Sequence, residues 1–96
     1  MATAKIIGKP VIYEDFSTTL TSSSGRVVAL NTAKTGYSAF GANFVYNNDF
    51  YYLIATDGVY PTVVFNSSGN AQIVGLNKEL KASNRTITVR VSYIKN

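Results

Sequence analysis

Cysteine, histidine and tryptophan are all missing from this chain of 96 residues. Without cysteine there is no disulfide, no thiolate nucleophile and no sulfur-ligated metal. Without histidine the commonest general base and metal ligand is gone, so neither a Ser-His-Asp nor a Cys-His triad can be assembled. Charge is also sparse, at 15% Asp, Glu, Lys and Arg against an average of about 25%. No apolar run approaches the roughly 20 residues of a membrane helix, and the opening Met1-Ala2-Thr3-Ala4-Lys5 lacks the apolar stretch of a signal peptide. The expectation is a chain made in a cytoplasm, with no membrane insertion, no metal and no cofactor.

What remains is enough for one domain, 1–96, in which residues 1–8 read as a flexible or partner-contacting arm. A chain this short buries only about 60–70% of its unfolded surface, so its stability margin is thin. Self-association would relieve that constraint, and a weakly charged surface favours it. The net charge of +4 is dispersed over Lys5, Lys9, Arg26, Lys34, Lys78, Lys81, Arg85, Arg90 and Lys95. Nucleic-acid binding wants such residues clustered on one face. Here only Lys78, Lys81 and Arg85 lie close together, with Glu79 among them, so no nucleic-acid partner is expected.

Val, Ile, Thr, Tyr and Phe alternate throughout with turn-forming Gly, Asn, Ser and Asp, the pattern of strands and hairpins. The clearest strand is the last. From Arg85 to Lys95, Ile87, Val89, Val91 and Tyr93 fall on one face and Thr86, Thr88, Arg90 and Ser92 on the other. Pro10 to Phe16 reads as an edge strand, because proline cannot donate to a ladder. Further strands are expected at Arg26–Leu30, Tyr37–Tyr46 with Gly41 marking a bulge or a close backbone approach, Phe50–Ala55, Val59–Phe65 and Ala71–Leu76, with Asn77–Asn84 a loop or one helical turn. About seven short strands with regular turn signals predict an all-β domain, a small antiparallel β-sandwich or jelly roll. Phe50–Ala55 is apolar on both faces and needs cover on both. Another copy of the chain meets that need; so does the second layer of a sandwich.

The five acidic residues offer no paired carboxylates. Glu14 and Asp15 are neighbours in a strand and point to opposite faces. Asp49 and Asp57 bracket Phe50–Ala55, about 20–25 Å apart on a straight strand, against roughly 5–9.5 Å in a glycoside hydrolase. Asx-type turn stabilisation accounts for both aspartates more simply, and no enzyme is expected. Seven tyrosines are the more informative feature. Aromatic rings stack on the C–H faces of sugars while amides and hydroxyls bond their hydroxyls. Tyr46, Asn47, Asn48, Asp49, Tyr51 and Tyr52 gather such groups around one turn, with Asp57 and Tyr60 at the far end of the next strand. These eight residues are the candidate ligand-binding set, although core and interface packing with wet hydroxyls explains the same rings.

The run Arg85-Thr86-Ile87-Thr88-Val89-Arg90-Val91-Ser92-Tyr93-Ile94-Lys95-Asn96 is similar to the closing strand of tail-fibre and receptor-binding proteins of phages that infect Gram-positive bacteria, where a Thr/Val alternation ends in Tyr-Ile/Val-Lys. Gly36-Tyr37-Ser38-Ala39-Phe40-Gly41-Ala42 resembles their Gly-Tyr-x-Pro-hydrophobic-Gly strand, departing at Ala39, where proline is common. The similarity spans roughly residues 20–96. It implies a virion tail protein with a homotrimeric sandwich or jelly-roll head, partnered by other phage tail proteins and docking on host cell-wall polysaccharide. A monomeric carbohydrate-binding module is the alternative.

The period-two reading of the last strand has a direct test. Val89→Asp or Val91→Asp buries an unpaired carboxylate at a cost of about 3–5 kcal/mol. That should unfold a domain this small, seen as loss of the cooperative melt in circular dichroism.

Overall fold

The computed structural model describes residues 3–6, 8–21, 23, 25–50, 61–76 and 82–96. Seven strands follow one another: β1 Thr3–Ile6, β2 Lys9–Leu20, β3 Val28–Ala29, β4 Tyr37–Val45, β5 Thr62–Phe65, β6 Ala71–Val74 and β7 Arg85–Lys95. They form two antiparallel sheets, a four-stranded one ordered β1-β2-β7-β4 and a three-stranded one ordered β3-β6-β5. The chain is all-β. The expected strand Phe50–Ala55 and the loop Asn77–Lys81 lie outside the described residues, apart from Phe50.

β7 is the axis of the larger sheet, with β2 along one side from Val11 to Leu20 and β4 along the other from Tyr37 to Val45. Its alternation is realised side chain by side chain. Ile87, Val89, Val91 and Tyr93 are buried, whereas Thr86 and Arg90 stay exposed. From the second sheet Ala71 and Ile73 of β6 reach the same cluster, joined by Leu30, Leu76 and Ala82, with Val63 and Phe65 of β5 packed against it. The two sheets therefore share one core.

β2 corrects the edge-strand expectation, because it lies between β1 and β7. A two-residue connection, with Gly8 at φ 80°, links β1 to β2 and makes Ile6↔Lys9 the closing pair. By the antiparallel alternation the next pair, Lys5↔Pro10, exchanges no hydrogen bonds. The proline nitrogen then faces the β7 side, where pairing begins only at Val11. Proline is tolerated inside the sheet because its missing donor has no partner to lose. Within the 1–8 segment, Thr3–Ile6 pairs with β2 at the edge of the larger sheet.

The Gly41 signal marks a real bulge. The β4–β7 register slips between Ala39 and Gly41, which keeps Ala39 and Ala42 both inward and puts Phe40 on the outer side with Gly41. Arg26–Leu30 shrinks to the two residues of β3, flanked by single backbone bonds from the Leu76 amide to the Arg26 carbonyl and from the Leu30 amide to the Ala71 carbonyl, and beyond Leu30 side chains take over from the ladder. Asn70 Oδ1 accepts from the Thr32 and Ala33 amides at 3.0 and 2.8 Å, and the Ala71 amide donates to Thr32 Oγ1 at 2.9 Å. The Tyr93 hydroxyl donates to the Thr32 carbonyl. Thr32 is the one buried polar residue among those described, and its amide, hydroxyl and carbonyl are all satisfied.

Burial pushes the Tyr93 phenol above its ordinary value, the Glu14 charge pushes the same way, and the bond to Thr32 opposes both. The unfolded chain releases this proton near pH 10 while the fold retains it. Its stabilising contribution is thus full below about pH 10 and is lost as pH rises through the folded value. In an alkaline titration followed by tyrosinate absorbance, Tyr93→Phe should remove a component that ionises only as the fold is lost. The same late component persisting in Tyr93→Phe would contradict it.

Candidate binding site

Of the eight residues singled out from sequence, Tyr46, Asn47, Asn48 and Asp49 are described; Tyr51, Tyr52, Asp57 and Tyr60 lie outside the described residues. The four occupy the turn that follows β4. Asn47 Oδ1 accepts from the Asp49 amide at 2.9 Å, and the Phe50 amide closes on the Asn47 carbonyl at 3.0 Å. The Asx cap is therefore Asn47, not Asp49. Two further bonds carry the turn to the start of β7: Asn47 Nδ2 donates to the Thr86 carbonyl at 3.2 Å, and the Thr86 amide donates to Asp49 Oδ2 at 3.0 Å. Arg85 adds an ion pair to Asp49 at 3.4 Å. Asn47 and Asp49 thus act as a clamp between the end of β4 and the first residues of β7.

Tyr46 and Asn48 point elsewhere. Tyr46 is 80% exposed, with its ring centroid 6.4 Å from that of Phe50, which in turn lies 5.5 Å from Phe44. The core thus extends through Phe44 and Phe50 to one protruding ring.

A second surface is the outer face of the four-stranded sheet, which register divides into rows. Tyr13, Ser92 and Phe40 beside Gly41 make one row; Asp15, Arg90 and Asn43 the next; Ser17, Thr88 and Val45 the third. Arg90 grips Asp15 with two bonds of 2.8 and 3.1 Å. The guanidinium's hydrogen bonds and charge hold the Asp15 carboxyl below its ordinary value. Because the pair is exposed, its contribution to stability is small, present above about pH 4 and lost as pH falls through the folded value. Ser17 and Thr88 share a hydrogen bond of 2.8 Å. Phe40 is 49% exposed on this otherwise polar face.

A third feature is a cleft of about 590 Å³ where the two sheets part, between the start of β4 and the β5–β6 hairpin. On one side the Lys34 ammonium lies 5.6 Å from the Tyr37 ring centroid and 3.1 Å from Glu14 Oε1. On the other the hairpin closes through Asn66: its Oδ1 accepts from the Ser68 and Asn70 amides at 2.9 and 3.0 Å, and Gly69 at φ 81° completes the turn. The cleft leaves no local pattern in the sequence, because Lys34 and Tyr37 stand 29 or more residues from Asn66–Gly69. The strands expected at Val59–Phe65 and Ala71–Leu76 bracket the hairpin but do not tell what it faces.

The three described acidic side chains, Glu14, Asp15 and Asp49, each hold a cation. Among the described residues no group of three or more His, Cys, Asp or Glu could hold a metal ion, and no helix is long and apolar enough to cross a membrane. No protein-family model, curated protein or solved structure matches the chain.

The clamp and the protruding ring should separate cleanly by mutation. Asp49→Ala should lower stability by about 0.5–1.5 kcal/mol by leaving the Thr86 amide without its acceptor. Tyr46→Ala should change it by less than about 0.5 kcal/mol. Urea denaturation of both variants checks the contrast, and equal losses would contradict it.

Proposed function

We propose that this chain is a non-catalytic tail or baseplate-associated structural protein of a phage, a small antiparallel β-sandwich that works as a homo-oligomer, with a trimer favoured, and docks on host cell-wall saccharide during adsorption. The observation that carries this reading is how the side chains are divided. Carboxylates and amides are tied into ion pairs and turns, while large aromatic groups, Tyr46 and Phe40, are left on the surface. A hydrolase needs an available acid or base poised near a substrate. An assembly or adsorption domain needs rigid aromatic contact area instead.

Two sheets closing on one core support the sandwich. Phe40 on the outer sheet face and Val64 on the smaller sheet are apolar side chains of the kind that contacts between copies cover. Other tail proteins are the natural neighbours of such an oligomer, and the virion is its location. A monomeric carbohydrate-binding module is the second reading, favoured by the cleft between the sheets.

Mass and binding together decide between them. Light scattering on the purified chain should report an oligomer, and the protein should pull down with Gram-positive cell walls. A strict monomer that binds polysaccharide points to the module. A monomer without glycan affinity contradicts both readings.

A further inference from the structure

We infer that the cleft between β4 and the β5–β6 hairpin is a saccharide site that takes one neutral pyranose residue. The inference rests on the saccharide-binding reading above and gives it a location and a ligand class.

Shape and rigidity come first. About 590 Å³ lies within the range of roughly 300–1,000 Å³ usual for small-molecule sites. Both walls are fixed before any ligand arrives. The segment leading into β4 is pinned through Thr32 to Asn70, Ala71 and Tyr93, and the hairpin wall is pinned by the bonds to Asn66 Oδ1. A preformed cleft loses little ordering entropy on binding.

The lining matches a sugar ring. Tyr37 and Phe65, one from each sheet, are half-buried aromatic groups that offer apolar surface to a pyranose C–H face. Ser67, Ser68 and the Asn66 amide nitrogen supply hydroxyl and N–H groups from the hairpin, and hydroxyls both donate and accept, as sugar hydroxyls do. Lys34 adds an ammonium donor, and Glu14 answers its charge. That pairing selects against ionic ligands. An anionic sugar gains little from a cation already neutralised at 3.1 Å, whereas a neutral sugar hydroxyl can bridge the pair without separating it.

The test uses the full chain, amide chemical shifts and four probes: glucose, galactose, N-acetylglucosamine and glucuronate. With at least one neutral sugar, shifts should concentrate at residues 33–39 and 66–69. Ser67→Arg places a long side chain at the cleft mouth from an exposed turn position compatible with most residues, so it should abolish the shifts with an unchanged melt. Lys34→Ala is the second variant, expected to weaken binding about tenfold through one lost charged hydrogen bond. Shifts confined to residues 46–49 and lost in Tyr46→Ala would overturn the cleft while sparing the saccharide reading. Glucuronate binding tenfold tighter than glucose would overturn its neutrality. No shift with any probe overturns the cleft as a site, and the separate cell-wall pull-down then shows whether the saccharide reading falls with it.

Discussion

The packing of one strand's inner face holds this molecule together. Ile87, Val89, Val91 and Tyr93 of β7 face the second sheet, while the backbone of the same strand is paired on both sides, to β2 and to β4. Two independent demands thus fall on eleven residues: period-two burial perpendicular to the sheet and an unbroken ladder within it. The rest adapts to them. β4 bulges at Phe40 to keep Ala39 and Ala42 inward, the turn after β4 is clamped to Thr86, and Thr32 is drawn in to accept from Tyr93. In a domain whose burial is limited by its size, the small sheet contributes less by its own pairing than by covering β7.

This organisation also divides the polar groups between architecture and surface. Glu14 and Asp15 are consecutive, so the pleat sends one inward to Lys34 and the other outward to Arg90. Each ion pair fastens a different layer. The first ties the segment before β4 to β2, and the second bridges β2 to β7. The Arg90–Asp15 pair is exposed and the Lys34–Glu14 pair half-buried, and the value of both is in fixing geometry more than in stability. The groups left for contact with other molecules are aromatic rings, hydroxyls and amides, which recognise by shape and hydrogen bonding.

Much of the fold was legible because its signals are local. The alternation of Arg85–Lys95 named the inward residues, Gly41 announced the bulge, and Glu14 and Asp15 were separated by the pleat alone. The failures are equally physical. Pro10 suggested an edge strand, but a proline is harmless wherever its nitrogen faces no partner, and that depends on where β7 begins to pair. Arg26–Leu30 carries strand composition, yet only Val28 and Ala29 form the ladder; just beyond it Asn70 and Thr32 side chains take the place of backbone partners 38 and 39 residues away. Asp49 looked like a self-contained turn residue and instead reaches across to β7. The candidate site was read least well. Its polar members Asn47 and Asp49 do structural work, and the cleft is assembled from segments that only tertiary structure brings together.

The central claim is that β7 carries a single core shared by both sheets. Native-state hydrogen exchange across a denaturant series addresses it most directly. The account predicts that the amides of β7 are the most protected and that those of β6 merge with them into one global unfolding event. Exchange of the β5–β6 hairpin through a separate opening, with β7 still fully protected, would show two independent layers and contradict it.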